Sequence, residues 1–354
     1  MLAVRRAAPG ALLAVLSALA LIACGSSSEE EGGDQSAGGN AGGNGSCAKE
    51  PVTVGFIPKL DTDPYFATTR KGAEEAAQEL GGKVIQSAPS KATGEAQIEF
   101  INNLAAKRVG VIAIAGSDAN AVAPALKRAQ QQGVKVMTFD SDVSPDARTL
   151  FVNQAASASI GEQMLDSMEK LLGGSGKFAV LSSTPTATNQ NAWIDSMRER
   201  LKSDAKFADM ELVKVVYGEE SEQINRQQTL ALTQAYPDLA GIIVPAGIGL
   251  PAAARALEQS GDLGRIKLTG LAPATIMRKY IESGDAQDIW WNVSDLGYLS
   301  YAAAQALAQC KLDGSQGQKF HAGRLGSFTV GAKGEIILGP AEIVTPKNLS
   351  EFKF

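Results

Sequence analysis

The sequence has 354 residues, 44% of them hydrophobic and 20% charged, with 33 basic against 38 acidic residues and a formal net charge of −5. That length is enough for two separate cores. The acidic balance, with no basic cluster, argues against a nucleic-acid partner. A single histidine, His321, placed in a late Gly-rich segment, argues against multi-histidine metal chemistry and a Ser-His-Asp triad.

In chain order, residues 1–23 carry Arg5 and Arg6, then an apolar stretch from Ala11 to Ala23. A basic start followed by an apolar core describes a secretory signal peptide, and the run is shorter than the roughly 20 residues of a membrane span. Leu21-Ile22-Ala23-Cys24 resembles the lipobox of bacterial lipoproteins, which implies lipidation at Cys24 and a lipid anchor to the membrane. Residues 24–50 then form a Gly/Ser/Asn/Glu-rich flexible linker. Loss of the signal removes two basic residues and leaves a formal charge of −7. Cys47 and Cys310 remain, and export to an oxidising compartment makes them a candidate disulfide, with two unpaired thiols as the alternative.

From Val52 the pattern alternates short apolar runs with longer helical spacings. Strand 52–57, helix 66–80, strand 84–85, helix 96–106, strand 109–115, helix 121–131 and strand 134–139 make a first series. After a break near 149–154 a second follows: helix 157–172, strand 177–181, helix 190–202, strand 211–216, helix 222–235, strand 240–244, helix 250–259, strand 266–271, helix 274–283 and strand 287–291. Helix 296–309 comes next. The rhythm predicts βαβ units and parallel sheets covered on both faces. Phe328–Val330 and Glu335–Leu338, separated by a Gly-Ala-Lys-Gly turn, read as a hairpin-like appendage.

Ligands of such sheets sit beyond the carboxyl ends of the strands. Collected there are Lys59, Tyr65 and Phe66 after the first strand, and Asp140 and Asp142 after strand 134–139. Asn189 and Gln190 follow strand 177–181, Pro245 and Gly247 follow strand 240–244, and Trp291 and Asn292 follow the last strand. A cation, carboxylates, amides and aromatic rings suit a small hydroxyl-rich molecule: the polar groups pair with hydroxyls and a ring covers an apolar face. Each has a plainer reading. Asp140 and Asp142 could cap a helix or hold a cation, Lys59 could be a solvated surface lysine, Tyr65 and Phe66 could be core, and Asn189 could be an N-cap. Trp193 reads as core rather than ligand-facing. No third carboxylate follows Asp142 at a calcium-loop spacing, so no metal is expected.

The stretches "VGFIPKL", "TFDSDVSPDAR", "FVNQ", "SSTPTATNQNAW", "IIVPAGIGLPAAA", "MRKYIESG" and "GRLGSFTVGAKGEIILGP" resemble the sugar-binding type I solute-binding proteins of bacterial ABC importers, most closely the rhamnose-binding and autoinducer-2-binding group. The likeness runs from Val52 to the carboxyl end. It implies two Rossmann-like doubly wound parallel-sheet lobes joined by a three-stranded hinge, with a ligand cleft between them. The lobes would be 51–150 with about 292–320, and 151–291 with about 321–354, crossing near 150–155, 287–292 and 318–325. It implies hinge closure on a sugar and delivery to a membrane permease with its ATPase, at the outer face of the cytoplasmic membrane, by a monomer without cofactor. Of six autoinducer-2 contacts in the family, Lys59, Asp140, Gln190 and Pro245 match. Asn189 replaces an aspartate and Gly247 an alanine, so a rhamnose-like deoxysugar is favoured over autoinducer-2. A chemoreceptor sensor module would use the same cleft. An exported glycoside-processing enzyme using Asp140 and Asp142 would need carboxylates on opposite sides of the bond, which one short loop supplies poorly.

Overall fold

The computed structural model describes residues 47–49 and 51–352, so the signal peptide, Cys24 and most of the linker lie outside the described residues. The first series forms β1 (Val52–Ile57), α1 (Pro64–Leu80), β2 (Gly82–Gln86), α2 (Gly94–Ala106), β3 (Val111–Ile114), α3 (Ala119–Gln131), β4 (Lys135–Phe139) and β5 (Leu150–Asn153). The second forms α4 (Ser157–Leu172), β6 (Gly176–Ser182), α5 (Thr188–Ser203), β7 (Met210–Tyr217), α6 (Glu222–Ala235), β8 (Leu239–Val244), α7 (Gly249–Ser260), β9 (Lys267–Gly270), α8 (Ala274–Glu282) and β10 (Ala286–Trp290). Then come α9 (Val293–Ala308), β11 (Lys319–His321), β12 (Ser327–Thr329), β13 (Glu335–Ile337) and β14 (Glu342–Val344).

Two six-stranded sheets result, ordered β2-β1-β3-β4-β5-β13 and β7-β6-β8-β9-β10-β14. Every pairing is parallel except β10 with β14. Continuous apolar runs such as Val111–Ile114, buried at all four positions, are what a parallel sheet covered on both faces requires. Strand order reverses at β1/β3 in one sheet and at β6/β8 in the other, and these switch points open a crevice beyond the strand ends.

Helix α9 leaves the second sheet and covers the first, where it is buried on nearly every side. Its contact with α1 is made backbone to backbone. A Cβ on Gly72 would stand 1.8 Å from the Ser294 carbonyl oxygen, and one on Gly297 the same distance from that of Thr69. Larger residues at either position would force the helices apart. Cys310, just past the end of α9 at Ala308, is bonded to Cys47, with Cα atoms 5.4 Å apart, and this ties the entry of β1 to the end of α9.

The tail departs from the expected hairpin. β12 pairs with β11, as a separate two-stranded sheet, and not with β13. β13 adds to the first sheet beside β5, where Asn153 Nδ2 also donates to Glu335 Oε1 at 2.8 Å. β14 adds to the second sheet beside β10. Residues 335–337 therefore belong with the first sheet rather than the second lobe, and the third crossing falls at 338–341 rather than 318–325. The "break" at 149–154 contains β5. Sequence periodicity misses these because three- or four-residue strands carry too few positions to display a period.

Candidate functional site

The carboxyl ends of both sheets face one cleft, lined by Lys59, Asp63, Tyr65, Phe66, Asp140, Asn189, Gln190, Trp193, Glu220, Pro245 to Gly247, Leu271 to Pro273, Ile289 to Trp291 and Val293. Its empty volume is ≈ 620 Å³, a figure that includes its opening to solvent.

A polar cluster occupies one side. Lys59 extends from the end of β1, and Asp140 follows β4 in left-handed backbone conformation at φ 61°. Lys59 Nζ stands 3.6 Å from Asp140 Oδ2 and donates to Asn189 Oδ1 at 3.3 Å. Asn189 Nδ2 in turn donates to Asp140 Oδ2 at 3.5 Å. All three side chains are buried. Lys59 and Asp140 come from the first sheet and Asn189 from α5 over the second, so the cleft is closed. Thr186 Oγ1 donating to the Ser117 carbonyl and Thr188 Oγ1 to that of Asp142 close it further.

The Asp140 carboxylate is aimed by a relay. Tyr65 OH donates to its Oδ1 at 2.8 Å, and Trp291 Nε1 donates to Tyr65 OH at 3.2 Å. Burial, reinforced by the adjacent Asp140 charge, holds the Tyr65 phenol well above its ordinary value, so it remains a donor. Gln190 spends its Oε1 on Ser182 Oγ (2.6 Å) and on the Ser183 backbone N–H (2.7 Å), fixing the β6–α5 turn. Asn189 is no N-cap, since Ala187 holds that position.

Phe66, Trp193, Trp290 and Trp291 supply the aromatic part of the lining, with Trp193 and Trp291 rings 6.4 Å apart. The indole N–H groups of Trp193 and Trp290 are buried without a protein partner among the described residues, as is Glu220 Oε2. Buried polar atoms are rarely left so, and these line the place where a ligand would meet them.

Two of the expected residues do not face this cleft. Asp142 is a correction: Arg148 Nε and Nη2 grip its carboxylate at 2.9 and 2.6 Å, and Thr138 Oγ1 adds a bond at 2.7 Å. It therefore secures the turn after β4. Asn292 caps α9, with Oδ1 accepting from the Asp295 backbone N–H at 3.0 Å, and lines a different cavity. Trp193, read as core, is buried and also lines the cleft.

Two carboxyls were not anticipated. Asp63 caps α1, accepting from the Tyr65 N–H at 2.9 Å, and burial, followed by the charge of Glu220, pushes its carboxyl up to about 7 from an ordinary 3.8. Burial likewise raises the Glu220 carboxyl. Asp63 stood in view as the residue before Pro64. Glu220 follows β7, at the carboxyl end of a strand like other residues of the cleft. No group of three or more metal-ligating side chains is gathered among the described residues.

Fold and cleft together define a two-lobed solute-binding protein. The periplasmic binding protein domain family matches residues 54–312, and the chain belongs to that family. An ABC transporter solute-binding protein from Clostridium phytofermentas, solved with bound L-rhamnose, is 36% identical with a TM-score of 0.82. That match covers 85% of this chain and 98% of the other. LsrB from Clostridium saccharobutylicum, solved with AI-2, is 25% identical with a TM-score of 0.80, covering 86% and 100%. The ribose import binding protein RbsB of Bacillus subtilis is 27% identical over 203 residues, 55% of this chain, and that stretch spans only 61% of RbsB. These relatives are solute-binding proteins of transporters and not enzymes.

Proposed function

We propose that this chain is the extracytoplasmic substrate-binding component of an ABC importer, that it captures a rhamnose-like deoxysugar by hinge closure and that it delivers the sugar to a membrane permease. It would be lipidated at Cys24 and tethered by residues 24–50. The observation carrying this reading is the junction of Lys59, Asp140 and Asn189 across the closed cleft, in a lining that also holds four aromatic rings, Phe66, Trp193, Trp290 and Trp291. A sugar seated there would accept from Lys59, donate to Asp140, and lay its C–H face, with the C6 methyl of a deoxysugar, against Phe66 and the tryptophans. Ligand touching both lobes favours the closed form, because only there are both sets of bonds made. Micromolar binding requires about −8 kcal/mol, and hydrogen bonds to charged groups contribute about 1.5–3 kcal/mol each. Three or four such bonds with one covered ring face reach that total.

The lobes proposed to move are 51–153 with α9 to β13, and α4 to β10 with β14. The permease would dock on the closed form. Support for rhamnose comes from the similarity to the protein solved with that sugar, and from Asn189, an amide where the autoinducer-2 group has an aspartate. The test is calorimetric titration of the soluble chain beginning at Gly25 with L-rhamnose and autoinducer-2 in parallel. Saturable binding of rhamnose alone is expected. Binding of autoinducer-2 alone would turn the reading to signal uptake, and silence from both would remove these two ligands.

A further inference from the structure

A second cavity lies in the hinge itself. All three crossings between the sheets contribute to its wall: Gln154 from the first, Trp291 and Asn292 from the second, and Gly339 and Pro340 from the third. It offers ≈ 240 Å³ to the centres of water-sized spheres, whereas one water needs about 10–15 Å³ by that measure. Trp291 lines this cavity and the sugar cleft alike.

Gln154 is 0% exposed, yet neither its Oε1 nor its Nε2 has a hydrogen-bond partner among the described residues. A primary amide presents an acceptor oxygen and two N–H donors side by side, and burial without partners is costly enough that folded proteins seldom tolerate it. What answers it must donate and accept at adjacent points, as hydroxyl groups do. It need carry no charge, because Asp295, the acidic residue of the wall, has Arg324 Nη2 2.6 Å from its Oδ1. The remaining wall, including Leu325, Phe328 and Leu338, is apolar and suits a C–H surface.

We infer that the hinge cavity is a second binding site, for neutral hydroxyl-bearing molecules, water or a small polyol, held by the Gln154 amide. Since every crossing forms part of its wall, rotation of the lobes reshapes it. Its occupant therefore binds open and closed forms unequally and shifts the balance between them by that difference. This site is separate from the sugar cleft, and its test does not depend on which sugar binds.

The mature chain would be crystallised without polyols, and a second crystal soaked in erythritol. Both should show oxygen within hydrogen-bonding distance of both amide atoms of Gln154. Water in both structures identifies solvent as the occupant, and erythritol in the second identifies a polyol. An amide turned onto protein atoms, or one with no ordered oxygen, overturns the inference. Gln154→Leu gives a test of sign in solution. Removing an amide that hydroxyls satisfy should lower the thermal midpoint by about 2–4 °C, whereas removing an unsatisfied amide would raise it and overturn the inference. Gln154→Met, of similar shape, serves if the leucine variant does not fold.

Discussion

Asp140→Asn separates charge from shape at the centre of the cleft. Asparagine tolerates the left-handed backbone at this position (φ 61°) at least as well as aspartate, so the turn after β4 is kept. Alanine would add a backbone cost. The substitution turns one acceptor oxygen into a donor, removes the partner of Lys59 3.6 Å away, and weakens the acceptor that Tyr65 reaches at 2.8 Å. Charge-assisted hydrogen bonds exceed neutral ones by about 1–1.5 kcal/mol. Two such bonds weakened in the closed, ligand-bound form amount to about 2–3 kcal/mol, or about a 30- to 150-fold rise in Kd. In the proposed open form water would reach these groups, so the thermal midpoint of the ligand-free protein should stay within about 2 °C of the parent. Titration calorimetry with L-rhamnose and a thermal scan without ligand provide both readouts. An unchanged Kd would refute the placement of the carboxylate in the site. A matching collapse of the ligand-free midpoint would show that Asp140 acts on folding instead.

Three other outcomes are expected. In the closed form burial, then the charge of Glu220, pushes the Asp63 carboxyl from 3.8 to about 7, and burial raises Glu220 as well; opening the proposed lobes to water would lower both, so the closed form would hold more protons than the open form between those values. Ligand affinity should therefore fall as pH rises from about 4 to about 7 and level off above, and Asp63→Asn should flatten the profile; a flat parent profile would contradict this. Asn189→Asp places a second carboxylate beside Lys59, and the ratio of autoinducer-2 to rhamnose affinity should rise, an unchanged ratio meaning that residue 189 does not select the ligand. Reduction of Cys47–Cys310, which are 263 residues apart in sequence, should lower unfolding stability by about 2–5 kcal/mol in urea titrations with and without dithiothreitol; coincident curves would show that the bond constrains little.

The α/β alternation was legible because its helices run long enough to display their period, and helix bounds read from sequence fall within three residues of those observed. The strand-end rule located most of the cleft for the same reason: β1, β4, β6, β8 and β10 were recognisable, and the rule needs only their ends. It failed where a side chain had a nearer partner. Asp142 looks like Asp140 in sequence, but Arg148, six residues on, lies within reach of one and not the other. Glu220 was illegible because the Gly-Glu-Glu-Ser turn after β7 has the composition of a solvated loop, and only the tertiary fold buries one of its two carboxyls. The tail was illegible because β13 finds its partner through residues such as Ile336 beside Val152, far away in the chain.

The exchange of tail strands bears on when the protein can fold. β5 and β10 are outer strands of their sheets until β13 and β14 arrive, and those two strands occupy residues 335–344 of a 354-residue chain. A chain still being synthesised has nothing to place on either edge, and Cys310 reaches Cys47 only after most of the polypeptide exists. Neither half can complete its sheet early. Both sheets therefore wait for residues 335–344, made long after the strands they border.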